Sequence, residues 1–363
     1  MCNDAIRVAI TEKPRNRFEL ITRSYQKLKE YGLHTHYIQN ACEVAFSAFR
    51  KRDRKSNPHV KRPFLKLDNQ TYKLDYLLLR IPVQPRNFLY ITLKGSAYHR
   101  SYLADARLKR GSITITTDST IVTFSKATAV IEPVGQIGID VNERNITCSN
   151  TNGQTQVFDT SNTTEIKERY RAIHAKLAQR TSKDARIRQG LLRKYGRRER
   201  NRTEQVIHRV TKQIVQSAKE NGFAIVLEKL RNIRKLYTRA NDQGKSFRGR
   251  MNSWAFREIQ RQVEYKASWQ GLPVYYVNPR GTSRDCSNCS SHLEELDGRR
   301  MLCPQCGQTW DRDVNASKNI MMAAPPVRAA RPSMCSHDGE CSEDVAHPLS
   351  RRMEVNQPLG PAS

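Results

Sequence analysis

Residues 131–324 predict an α/β fold, in the chain order strand, strand, strand, helix, strand, helix, strand, helix. Three observations lead there. The apolar runs "QIGID", "AIVLE" and "LPVYYVNP" are short enough for buried strands, and stretches with helical periodicity separate them. Between "NITCSN" and "QTQVFD", Asn152-Gly153 is a strong hairpin signal joining strands two and three. Acidic residues end strands one and four (Asp140 and Glu228), and a further pair, Asp311 and Asp313, opens the last helix. This is the element order of the RNase H-like fold. Order alone does not establish function.

The helices follow from period. Ile166, Tyr170, Ile173 and Leu177 make one face of a long stretch, and Ile207, Val210, Ile214 and Ala218 another before Gly222. Phe256, Ile259, Val263 and Ala267 mark the helix after a loose basic segment, "RNIRKLYTRANDQGKSFRGR". "DVNASKNIMMAA" closes the series.

Upstream the pattern differs. "IRVAITEKP" reads as one short strand. Phe18, Ile21, Tyr25 and Leu28 lie at helical spacing before Gly32, and Ile38, Cys42, Ala45 and Phe49 form a second helix. From Phe64 to Thr128 the period becomes two, with Asp118-Ser119 as a hairpin break, which predicts a small β-barrel or sandwich. The two helices read as an insertion into it.

The chain has 363 residues, enough for two or three domains, with 63 Lys+Arg against 35 Asp+Glu and a formal charge of +28. Self-repulsion of that size favours a polyanionic partner, and nucleic acid is the default. No apolar run approaches membrane-spanning length and no signal-peptide core is present, so the expectation is a cytoplasmic protein with no membrane partner.

In the expected sheet, strands one and four are neighbours, so Asp140 and Glu228 project at one edge. The last helix brings Asp311 or Asp313 as a third; Asp313 is the favoured ligand, with Asp311 as helix cap or as a supporting neighbour of the ligands. Three converging carboxylates repel one another unless cations lie between them. Two Mg2+ ions (or Mn2+) about 4 Å apart would satisfy the charge and support phosphodiester hydrolysis. Cys286, Cys289, Cys303 and Cys306 form C-x2-C pairs thirteen residues apart, the spacing of a closed Zn2+ ribbon. Cys2, Cys42 and Cys148 read as small, mostly buried residues, and His292 as exposed loop.

"GIDVNERN", "IVLEKL", "VNPRGTSRDCSNC", "CPQCG" and "DRDVNASKNI" together resemble the TnpB family of transposon-encoded, RNA-guided DNA endonucleases. The resemblance implies a RuvC-like nuclease domain over 131–281 and 311–324 and an inserted zinc ribbon over 282–310. It further implies a β-barrel wedge domain over 1–12 and 61–130, interrupted by a helical recognition insert over 13–60. A tail over 325–363, with Pro325, Pro326, Pro332 and Pro348 among small polar residues, is expected to be disordered. Carried over, Asp140, Glu228 and Asp313 are the catalytic triad and Mg2+ ligands, and the four cysteines hold Zn2+.

Guide RNA from the transposon end and double-stranded target DNA are the implied partners, in a prokaryotic cytosol. The densest basic run, from Arg186 to Arg202, offers Arg186, Arg188, Arg193, Lys194, Arg197, Arg198, Arg200 and Arg202 to phosphates. Relatives without the acids would be RNA-guided DNA-binding regulators, and a transposase acting on its own element ends is a further alternative. Asn142 and Ser290 stand where the family usually has Gly, and Ser317 where it has Ala. Asn142 is expected to tolerate left-handed backbone.

Overall fold

The computed structural model describes residues 1–52, 57–84, 86–180, 184–230, 233, 244–324 and 354–355. The chain forms two compact units, Met1–Ala127 with Ser342–Ser363, and Thr128–Cys341.

The first unit begins with three helices, α1 (Cys2–Glu12), α2 (Arg17–Lys29) and α3 (Thr35–Arg50). Residues 1–12 are therefore helix and not barrel strand. Ile6, Val8 and Ile10 alternate like a strand, but Ala5, Ile6 and Ala9 are the buried positions, and they pack with Leu20, Leu28, Ile38 and Cys42. On α2 the buried line is Leu20, Ser24 and Leu28 at i, i+4, i+8, while Phe18 is 68% exposed. The helices thus share an apolar core of their own.

The strands that follow are β1 (Phe64–Leu67), β2 (Lys73–Asp75), β3 (Leu78–Gln84), β4 (Asn87–Lys94), β5 (Lys109–Thr116) and β6 (Thr120–Ser125). A short helix, α4 (Ala97–Ala104), interrupts them, capped by a reciprocal Ser96–His99 arrangement that the period-two reading overlooked. Among the described residues the strands pair as two antiparallel sheets, β1-β5-β6 and β2-β3-β4, not as one closed ring.

The second unit holds a five-stranded sheet of β7 (Gly135–Val141), β8 (Asn145–Asn150), β9 (Thr155–Asp159), β10 (Phe223–Glu228) and β11 (Val274–Val277), in the order β11-β10-β7-β8-β9. β10 runs parallel to β7 and β11, and β8 is antiparallel to both its neighbours. The β8–β9 connection turns at Gly153, whose φ of +79° lies in the left-handed region. Helices α5 (Ser161–Arg180), α6 (Ala185–Glu220), α7 (Lys245–Ser253) and α8 (Phe256–Gln270) join the strands. α7 occupies the end of the segment expected to be loose, while 231–232 and 234–243 lie outside the described residues.

The pleat sorts the sheet's residues onto two faces. Ile137, Ile139, Ile225 and Leu227 point into the large core with Ile207, Ile214, Ile259 and Val263 of α6 and α8. Ala224 and Val226 point the other way, to Ile320 and Ala324 around α9 (Arg312–Met322). Gly138 shares that second face. A Cβ there would lie 2.2 Å from Ser317 O and 2.5 Å from Met321 N, so α9 crosses β7 with backbone against backbone. We expect Gly138→Ala to destabilise the unit by roughly 3 kcal/mol or more, because helix backbone cannot yield as a side chain does. Chemical denaturation checks this; an unchanged midpoint would mean the helix does not sit on β7.

Between β11 and α9 lies a small three-stranded sheet of β12 (Glu294–Asp297), β13 (Arg300–Leu302) and β14 (Thr309–Asp311). The expected disordered tail, 325–363, falls outside the described residues except at β15 (Glu354–Val355), which adds an antiparallel edge beside Lys94 and Leu93 of β4. Among the described residues no helix is long and apolar enough to cross a membrane.

Candidate active site and metal centre

Ile139 of β7 sits opposite Leu227 of β10 in parallel register, so Asp140 and Glu228 are the next residues on adjacent strands. Both fall on the face that carries α9, by the same alternation that places Gly138 and Val226 there. Asp313 lies in the first turn of α9 and is buried; Asp311 is its N-cap, its carboxylate accepting from the backbone N–H of Asp313 and Val314 at 2.9 and 3.1 Å.

Each carboxylate has its own donor. Asn142 Nδ2 donates to Asp140 Oδ2 at 2.9 Å, and Thr282 Oγ1 donates to Glu228 Oε1 at 2.6 Å. Asp313 Oδ2 accepts from Asn145 Nδ2 at 3.3 Å and forms an ion pair with Arg299. Asn142 is not in the left-handed region where its position beside the first acid suggested it. Its amide turns back onto the carboxylate, which a Gly could not do. Ser290 is the residue that takes positive φ, +63°, just past the first cysteine knuckle.

Electrostatics bind the three acids into one problem. Burial, reinforced by the charges of Glu228 and then Asp313, pushes the Asp140 carboxyl up to about 7 despite the Asn142 amide. Burial also raises Glu228, with the Thr282 hydroxyl working against it. A pair of divalent ions about 4 Å apart is the arrangement that would relieve this repulsion. Three partly or fully buried carboxylates, with one cation, Arg299, paired to Asp313, form an oxygen-only donor set that suits a hard divalent cation.

The four thiols of Cys286, Cys289, Cys303 and Cys306 all lie within 4.8 Å of one another. Sγ of Cys286 and Cys306 are 3.8 Å apart, and those of Cys289 and Cys303 3.4 Å. A tetrahedron with metal–sulfur arms of about 2.3 Å has edges of about 3.8 Å, so the cluster fits zinc. Burial would raise the Cys286 thiol, but backbone N–H groups of Asn288 and Cys289 bring it down to about 6, favouring the thiolate. His292 stays outside the cluster, side chain largely exposed, with Nδ1 3.6 Å from Asp285.

The basic run lies along the first half of α6. Arg186, Arg193, Lys194, Arg197, Arg198, Arg200 and Arg202 are exposed and Arg188 is half-buried. Arg198 and Arg202 rest on the rings of Tyr195 and Tyr170, at 5.6 and 5.9 Å from the centroids. The structure also presents features that sequence reading missed. Arg299 follows the β12–β13 turn residue Gly298, and only its contact with Asp313 marks it. In the first unit, Phe88 and Tyr90 of β4 are exposed on the same sheet face as Arg80, whose guanidinium covers the Phe88 ring at 4.3 Å. The outward half of "NFLYITLK" was the available signal.

Residues 256–320 match the family model described as Cas12f1-like, TNB domain. A TnpB-like protein of Methanocaldococcus jannaschii is 32% identical over 271 residues, covering 72% of this chain and 95% of the relative. The chain belongs to the TnpB family. A second TnpB-like protein of that organism is 26% identical over 311 residues, 81% of this chain and 70% of the relative. The CRISPR-associated endodeoxyribonuclease Cas12f1 of Sulfoacidibacillus thermotolerans is 32% identical over 116 residues, 31% of this chain and 25% of that protein. The chain also shares its fold with Cas12f1 in a cryo-EM structure of the Cas12f1–sgRNA–target DNA complex. The TM-score is 0.67 at 13% identity, over 88% of this chain and 79% of that one.

Proposed function

We propose that this chain is a transposon-associated, RNA-guided DNA endonuclease with a RuvC-like, RNase H-type nuclease domain, working in a prokaryotic cytosol. The observation that carries the reading is the convergence of acids: Asp140 and Glu228 on adjacent parallel strands, facing the helix that begins with Asp313. The order β9-β8-β7-β10-β11, with only β8 reversed, supports the RNase H-type assignment.

Asp140, Glu228 and Asp313 would hold Mg2+ or Mn2+. When bound, the ions supply an activated water and neutralise charge building on the scissile phosphate. The chain's own residues do the rest. Asn142 and Thr282 fix one oxygen each of Asp140 and Glu228, leaving the other for metal. Arg299 offsets the Asp313 charge. The four cysteines would hold Zn2+ as a closed structural site. In the first unit we assign the Phe88–Tyr90–Arg80 face to unpaired RNA bases, which stack on aromatic rings regardless of sequence.

The test is to co-express the chain with RNA from its own element's end, sequence the RNA that co-purifies, and assay plasmid cleavage. We expect cleavage that needs both the matching RNA and Mg2+. Cutting without RNA, or joining of element ends, would replace this reading with the transposase one.

Arg193, Arg197 and Arg200 stand at i, i+4 and i+7, one exposed stripe of α6. Changing all three to Gln is expected to weaken RNA or heteroduplex binding and lower the slope of log K against log salt by about two. The fold should be unaffected. An unchanged slope would remove this stripe from the phosphate contacts.

A further inference from the structure

The ribbon and the acidic site are held by one bracket. The loop that leaves β11 carries Thr282 and then enters the first knuckle at Cys286. Thr282 is 8% exposed and its hydroxyl meets Glu228. The backbone behind it is gripped by α9. Asn319 Nδ2 donates to the carbonyls of Thr282 and Asp285 at 2.8 and 2.6 Å. Asn315 Nδ2 donates to the Asp285 carbonyl at 2.8 Å, and Asn315 Oδ1 accepts from Ser287 N, inside the knuckle, at 2.9 Å. Asn315 is fully buried, and this one loop satisfies both ends of its amide.

The second knuckle reaches the same helix by a different route. Cys306 leads into β14, whose last residue, Asp311, caps α9. Arg312 N also donates to the carbonyl of Arg299 at 2.8 Å. Both knuckles therefore end on the helix that presents Asp313, and the first of them governs the hydroxyl on Glu228. A bound metal is what holds two such knuckles in fixed relation, since the ligands have no comparable attraction for one another. Where that metal fixes Ser287 and Asp285, Asn315 and Asn319 transmit the position to Thr282.

We propose that Asn315 and Asn319 are positioning residues that make the ribbon's metal a determinant of where the Glu228 carboxylate sits, with Thr282 as the final contact. The proposal rests on reading Asp140, Glu228 and Asp313 as a divalent-cation site. A bracket that merely stabilised the ribbon would leave cation affinity at that site untouched.

The experiment measures Mn2+ binding by electron paramagnetic resonance on the purified protein–RNA complex, beside zinc content by mass spectrometry. Thr282→Val, which keeps shape and loses the hydroxyl, is expected to weaken Mn2+ binding about 10-fold or more, with zinc retained. Thr282→Ser should restore affinity. Asn315→Ala with Asn319→Ala should weaken Mn2+ binding similarly at full zinc content; if that double variant does not fold, the Thr282 pair decides alone. Wild-type Mn2+ affinity in Thr282→Val overturns the proposal. Wild-type protein that binds no Mn2+, or binds it equally well as Asp140→Ala, removes the acidic site itself and the proposal with it.

Discussion

Asp140→Asn is expected to abolish RNA-dependent DNA cleavage while guide RNA binding is unchanged, and to raise the melting temperature of the metal-free protein at neutral pH. The two effects have one cause. Asp140 is half-buried, and its desolvated carboxyl beside Glu228 and Asp313 is held up to about 7. A folded-state value above the unfolded one, near 3.9, means that between those limits the folded chain binds more protons than the unfolded chain. Stability therefore falls as pH rises from about 4 to about 7, and ionised Asp140 costs the fold a few kcal/mol above that range. The amide removes that cost and with it the charge that would hold a cation. The gain in melting temperature should shrink as pH is lowered from 7 towards 5, where wild-type Asp140 is itself protonated. Plasmid cleavage and thermal melts in EDTA, at both pH values, read the two effects. A structural aspartate predicts the opposite sign, loss of stability on substitution. Cleavage persisting in Asp140→Asn would remove the assigned mechanism.

The second unit was legible because several signals agreed. Short apolar runs gave the strands of the central sheet, and the three-to-four periodicity at Ile207–Ala218 and Phe256–Ala267 gave the helices that cover it. The close crossing of α9 at Gly138 was not legible, since a glycine in a strand has several uses and only the helix backbone beside it selects one. The first helix was misread for a specific reason. Ile6, Val8 and Ile10 satisfy a strand's alternation, while the true buried set includes two alanines, which carry little hydrophobic signal.

At the acidic site the ligand candidates could be named from their places at strand and helix ends. Their partners could not. Thr282, Asn145 and Arg299 lie 54, 168 and 14 residues from the carboxylates they touch. Nothing in local sequence pairs them. Asn142 was visible as a departure from the family pattern, but its backbone is not left-handed, so that tolerance is not called upon; what the sequence did not show is that its side chain reaches Asp140.

Cys303→Ser is expected to empty the ribbon of zinc, open 282–310 to proteolysis, and stop cleavage with RNA binding retained. The ribbon's buried apolar cluster consists of Cys286, Leu293, Met301 and Cys303, with Cys289, Cys306 and Trp310 packed against it. Two of its four buried members, Cys286 and Cys303, would themselves be taken up as ligands. A core that small cannot offset the entropy of ordering the segment, whereas structural zinc contributes on the order of 10–16 kcal/mol in comparable small sites. Cys148 supplies the contrast. It is equally buried, but in β8 against the large core, and its thiol, strongly raised by burial, lies outside the four-thiol cluster. Cys148→Ala should keep full zinc and cost roughly 1 kcal/mol of stability, a packing loss alone. Zinc analysis and limited proteolysis separate the two variants. Because α9 holds the first knuckle through Asn315 and the second runs into its cap, collapse of the ribbon should also free Asp313 and the Thr282 contact. Full zinc content in Cys303→Ser would show that the four thiols do not act as one site.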